Sequence, residues 1–169
     1  MNGFAAPLYY VAPGQLNVQI PYETPAGANV VLTINNNGQS RSTNLVVAAT
    51  APGIFTDLSG APVPNTTAGR GAVVTLFITG EGAVSPPMAT GATPPSSTPV
   101  TSLPKPALPA AVTVGGVAAP IQFIGIPNGL AGVTQINYQV PSNAPLGAQQ
   151  VIVTVGNVVS PAATLTVTQ

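Results

Sequence analysis

One thirteen-residue phrase occurs twice in this chain, and the repeat limits the folds open to it. Residues 15–27 read QLNVQIPYETPAG and residues 135–147 read QINYQVPSNAPLG. Both copies open in strict alternation: Leu16, Val18 and Ile20 oppose Gln15, Asn17 and Gln19, and Ile136, Tyr138 and Val140 oppose Gln135, Asn137 and Gln139. Period-two alternation with β-branched and aromatic residues is the pattern of a half-buried strand. Pro21 and Pro141 then remove a ladder donor and end the pairing. A second proline and a glycine follow in each copy, which is turn chemistry. Apolar runs come next, at 30–34 and 151–155. The repeated unit is strand, proline-bounded turn, strand.

The rest of the chain agrees with short strands and tight turns. Residues 5–11 (AAPLYYV) form a strand, matched by 118–124 (AAPIQFI) ahead of the second copy. Asn35–Gly38 (NNNG), Gly115-Gly116 and Gly156-Asn157 are hairpin turns, since Asn and Gly accept left-handed backbone. Strands are expected at 42–48, 111–114 and 163–167, and 72–79 (AVVTLFIT) reads as a strand buried on both faces. The Pro/Ser/Thr-rich stretch 85–109 is a long extended loop, because its prolines lack amide hydrogens. No segment has helical periodicity.

The two copies are not equally complete. The second is preceded by AVVTLFITG and AVTVGG; the first begins at Met1-Asn2-Gly3, where the counterpart of Gly115-Gly116 falls. The expected architecture is all-β, with tandem immunoglobulin-like β-sandwich units: a partial unit over 1–51 lacking its leading strands, a linker over 52–68, and a complete sandwich over 69–169 carrying the loop 85–109. There is no Cys–Trp–Cys core, so this is not an antibody-type domain. The expected core is Val18, Ile20, Val74, Leu76, Ile78, Ile136, Tyr138 and Val140.

Several phrases together resemble a known family: NGFAAPLYYVAPGQLNVQIPYETPAG, APGIF, ITGEGAVSP and VTVGGVAAPIQFIGIPNGLAGVTQINYQVP. They are similar to the uncharacterised C-terminal domain of large secreted acidobacterial (Solibacter-type) proteins. The resemblance covers nearly the whole chain and rests on the order of the motifs. It implies an immunoglobulin-like fold at the end of long extracellular proteins. It brings no activity and no functional residues. The chain departs from the family pattern in lacking the leading strands of its first unit.

Charge excludes several functions. Only 4% of the residues are charged, against roughly 25% in ordinary soluble domains, and three basic residues balance three acidic ones. No basic surface exists to attract nucleic acid or anionic lipid. Low net charge also favours association. No run approaches the roughly 20 apolar residues that span a bilayer. Residues 1–10 lack the basic start and apolar core of a signal peptide. The charge-poor, Thr/Pro-rich composition points to an extracellular or cell-surface protein, as a mature or internal piece of a secreted chain.

Catalysis needs an activated nucleophile or a carboxylate pair. There is no His and no Cys, and Glu23, Asp57 and Glu81 are dispersed in turns as solvated charges. No enzyme, cofactor or metal is expected: zinc lacks its ligands, and Asp57 alone is a poor start for calcium. Asn65-Thr66-Thr67 fits an N-glycosylation acceptor, and Ser96, Ser97 and Thr98 lie in the stretch suited to O-linked sugar. Tyr9, Tyr10 and Tyr22 are candidates for contact with carbohydrate, one of Tyr9 and Tyr10 facing outward by alternation. The uncharged Gln/Asn faces lack the charges that ordinarily block edge pairing. The expected function is a structural subunit that self-assembles, as a fibre or surface layer, through β-strand contacts with other copies. The alternative is a stalk, adhesion or carbohydrate-binding module. The contact is expected along the edge presented by Ala5, Leu8, Tyr9, Tyr10 and Val11. An incoming strand is the expected filling for the missing strands, donated by a neighbouring copy, by the Pro-rich loop or by upstream sequence, and the loop is the weakest donor, because its prolines cannot supply a ladder.

Overall fold

A computed structural model of the chain describes residues 1–27 and 29–169. It separates into two units, one of Met1–Ala49 with Met88–Ala92 and one of Thr50–Pro87 with Thr93–Gln169. The described residues are all-β, with a single 3-10 turn at Val100–Ser102.

The first unit holds four strands in two separate ribbons. β1 (Leu8–Ala12) pairs with β2 (Gln15–Val18), and β3 (Asn29–Asn36) pairs with β4 (Gln39–Val46). The second ribbon turns as expected, with Asn37 at φ 50° and Gly38 at φ 83°. The core beneath the ribbons is small: Met1, Val30 and Val47 are buried, with Ala6, Val18, Leu32 and Leu45 packed against them. Two-stranded ribbons are marginal alone, and a unit this short covers little apolar surface.

The second unit is a two-layer sandwich. Its strands are β5 (Gly53–Ile54), β6 (Thr67–Gly69), β7 (Val73–Thr79), β8 (Val84–Ser85), β9 (Lys105–Pro106), β10 (Ala110–Val114), β11 (Val117–Ala119), β12 (Ile121–Gly125), β13 (Thr134–Gln139), β14 (Gly147–Val155), β15 (Val158–Val159) and β16 (Ala163–Thr168). One sheet runs β11-β10-β14-β16-β6, with β15 also on β14; the other runs β12-β13-β7-β5. Every pairing is antiparallel except β16 with β6. Pro120 sits between β11 and β12, and the chain changes sheets there. Val74, Leu76, Ile78, Ile136 and Tyr138 from one sheet meet Val112, Val114, Val151, Val153, Val155 and Leu165 from the other in a single core.

Several expectations need correction. Residues 52–68 are no linker: β5 pairs with β7, and β6 pairs with β16. Ala51 N–H also donates to Gly80 O at 2.8 Å, and a Cβ at Gly80 would collide with the Ala51 carbonyl. β7 is buried on one face only; Thr75 and Phe77 are half-buried and Val73 is exposed. In the first unit Ile20 is exposed and Gln19 is buried, which reverses the expected alternation, and Val18 is only half-buried. Ile136, Tyr138, Val140, Val74, Leu76 and Ile78 are buried as expected. The stretch 85–109 is mostly irregular, but β8 and β9 tie its ends together.

Candidate functional site

The candidate site is the β1–β2 hairpin. Its backbone reproduces the β12–β13 hairpin of the second unit rung for rung. Leu8 faces Val18, Tyr10 faces Asn17, Val11 faces Leu16 and Ala12 faces Gln15. In the other hairpin Ile121 faces Tyr138, Phe123 faces Asn137, Ile124 faces Ile136 and Gly125 faces Gln135. Each has its irregularity at the same step, Leu8/Tyr10 and Ile121/Phe123. The side-chain amides repeat too. Gln15 Nε2 donates to Asn17 Oδ1 at 2.7 Å, and Gln135 Nε2 donates to Asn137 Oδ1 at 2.9 Å.

What lies beside the two hairpins differs. β13 is flanked by β7, and Thr75 Oγ1 donates to Asn137 Oδ1 at 2.9 Å, completing the amide chain. β2 has β1 as its only strand partner among the described residues. Its counterpart of Ile136, Leu16, is 37% exposed where Ile136 is 0%.

Of the expected contact residues, Ala5 is exposed, and so are Leu8, Tyr9, Tyr10 and Val11, at 50% or more for the last four. Alternation predicted that only one of Tyr9 and Tyr10 would face outward. Both do, because the irregularity between Leu8 and Tyr10 breaks the alternation. The Tyr9 hydroxyl donates to Gln19 Oε1 at 3.4 Å.

One end of β2 is held by an unexpected strap. Residues 88–93 are the longest proline-free run of the Pro-rich loop, and Met88–Ala92 joins the first unit. Gly91 N–H donates to Gln19 Oε1 at 2.8 Å, and Tyr22 N–H to Thr90 Oγ1 at 2.9 Å. The Thr90 hydroxyl donates to Glu23 Oε2 at 2.6 Å, which holds the Glu23 carboxyl below its ordinary pKa. The equivalent of Gln19 is Gln139, whose Nε2 donates to Gly71 O at 3.0 Å in the turn before β7. Both glutamines thus secure a glycine turn. The strap reaches only that end of β2 and continues into no strand. The proline-free run was the available signal for it in the sequence.

The other named residues are accounted for locally. Asp57 Oδ1 accepts Ser59 Oγ at 2.6 Å, Ser59 N–H at 2.9 Å and Ala61 N–H at 3.0 Å. These bonds, the Ser59 hydroxyl foremost, lower its carboxyl pKa. Glu81 is buried, not solvated as expected. Asn65 is half-buried, and its Oδ1 accepts Thr75 N–H at 2.8 Å, so this side chain holds β7. Ser96 and Ser97 are exposed and Thr98 is half-buried. No cluster of three metal-capable side chains occurs among the described residues. Two shallow depressions, one around Phe4, Ala5, Val31 and Thr33 and one around Gln139, Pro141 and Asn143, carry no acidic or basic side chain. No helix of the described residues is long and apolar enough to cross a membrane. Neither the protein-family models nor the curated proteins give a match to this chain.

Proposed function

We propose that the chain is a non-catalytic structural subunit that self-assembles through β-strand contacts, outside the cell or on its surface. The observation that carries this reading is the exposed β1–β2 ribbon, apolar on both faces of β1, in a stretch whose first charged side chain is Glu23. Exposed apolar patches of this kind mark contact surfaces, and an edge without charges has no barrier to pairing. The contact includes the edge of Ala5, Leu8, Tyr9, Tyr10 and Val11. The resemblance to immunoglobulin-like ends of secreted acidobacterial proteins supports the same placement. Sedimentation and electron microscopy of purified protein test it. Assemblies that grow with concentration are expected; a monomer at every accessible concentration refutes the reading.

A second reading, a stalk or adhesion module binding carbohydrate, draws on the two neighbouring exposed tyrosines, Tyr9 and Tyr10. Glycan-array binding that disappears in Tyr10→Ala supports it. Ser96 and Ser97, exposed in the loop, are the places proposed for attached sugar, which mass spectrometry of native material checks.

A further inference from the structure

The geometry points to a specific contact: β2 of one copy pairs antiparallel with β2 of a second copy, about a two-fold axis at Asn17. The inference rests on the self-assembly reading above and names the edge, the register and the occupant.

The repeat shows what the open edge of β2 is shaped to accept. Beside β13, Thr75 faces Asn137, Leu76 faces Ile136 and Val74 faces Tyr138. Thr75 directs its own N–H away, to Asn65 Oδ1. Thr75 and Asn137 therefore meet as a pair without mutual backbone bonds, the arrangement that brings facing side chains closest. The backbone groups that bond across are those of the residues on either side. Transferred to the identical register of β2, Leu16 and Val18 present their N–H and C=O outward, and Asn17 presents its side chain. A strand seated there must bring apolar residues opposite Leu16 and Val18 and a hydrogen-bonding side chain opposite Asn17.

A second β2 meets each condition. In antiparallel register about Asn17, Leu16 faces Val18 of the second copy and Val18 faces its Leu16. Apolar faces meet apolar faces, and outward backbone groups meet outward backbone groups. Asn17 faces Asn17. A side-chain amide both donates and accepts, so each supplies to the other what Thr75 Oγ1 supplies to Asn137. Electrostatics agree with this occupant. Residues 1–22 carry no charged side chain, so two copies of the edge approach without repulsion. The strap at Gly91 engages Gln19 and leaves the rungs at Leu16 and Val18 open. By contrast β3 is a poor occupant. Its outward backbone groups include Val31, which Asn2 already engages through both N–H and C=O. Their side chains, Val31 and Thr33, lie on the face away from Val30 and Leu32, so the apolar faces would not match. The contact is isologous and closes as a dimer. A second two-fold contact along the outer edge of β1 would extend the ribbon into a continuous sheet.

The test is cysteine cross-linking of the whole chain, which has no native cysteine. Across such a two-fold, facing residues have Cα atoms about 4.5 Å apart, within disulfide reach. Asn17→Cys should form a disulfide-linked dimer rapidly under mild oxidation. Gln15→Cys should not, because in this register its copies lie roughly 13 Å apart. Cross-linking by both variants indicates parallel pairing or random collision, and by Gln15→Cys alone a slipped register; either overturns the contact. In a separate arm, Asn17→Asp places two carboxylates face to face. It should weaken association at least about tenfold at pH 7 and recover at pH 3, and unchanged association overturns the proposal. Wild-type protein that assembles while Asn17→Cys gives no dimer sinks this contact alone. Wild-type protein that stays monomeric sinks the self-assembly reading with it.

Discussion

The hairpins β1–β2 and β12–β13 share register, bulge position and amide pairing, yet they end in opposite environments. In the second unit Ile136 and Tyr138 are sealed between two sheets. In the first, Leu16 stays exposed and Val18 half-buried. Similar local sequence has produced the same local structure twice. What differs is the neighbour: β7 lies beside β13, and β2 has no such strand among the described residues. Local pattern therefore fixes the hairpin, and the adjoining strand fixes the burial. The small core of Met1, Val30 and Val47 is the consequence for the first unit.

The largest expected effect breaks this comparison at its best-packed point. Ile136→Ala should cost about 2–5 kcal/mol in urea denaturation, because the site is fully enclosed. Leu16→Ala, at the matching position, should cost under about 1 kcal/mol in dilute protein. Equal losses would mean that the two hairpins are equally packed.

A smaller effect separates Tyr138 from its counterpart Val18. Burial pushes the Tyr138 hydroxyl up to about 12. The unfolded chain releases this proton near pH 10 and the folded chain does not, so between those values the unfolded state binds fewer protons. Stability that is fully present below pH 10 should fall by roughly 1.4 kcal/mol per pH unit up to about pH 12. Tyr138→Phe should flatten that part of the alkaline profile, as read by denaturant titrations at each pH. A profile unchanged by the substitution would show that Tyr138 does not carry it.

Below that come the polar clips. Asn65→Ala leaves the Thr75 amide without its acceptor and should cost about 1–3 kcal/mol. Thr90→Val removes both side-chain bonds that the strap makes to Tyr22 and Glu23. It should let the Glu23 carboxyl titrate closer to its ordinary range, visible by carbon-13 chemical shifts, and speed exchange of the Gly91 amide. The cost to global stability should be small, since Glu23 is fully exposed.

The sequence made the turns and hairpins legible because their causes are local. Alternation placed β13, and Asn37-Gly38 placed the β3–β4 turn. The sequence did not show that Gln19 is buried and Ile20 exposed, because that depends on a strap 68 or more residues away along the chain binding Tyr22 and Gln19. Nor did it show β5 and β6, which are two and three residues long and owe their order to β7 and β16. Elements that short have no periodicity to read. The burial of Glu81 is hidden for a related reason: a carboxylate between glycines reads as a solvated turn, and its burial is a tertiary fact.

If another copy of the chain completes the first unit, amide hydrogen exchange at Leu16 and Val18 should depend on protein concentration. Exchange should be fast in dilute protein and slow as concentration rises, while Ile136 and Tyr138 stay protected throughout. Protection at Leu16 and Val18 that is strong and independent of concentration would show instead that the first unit closes on itself.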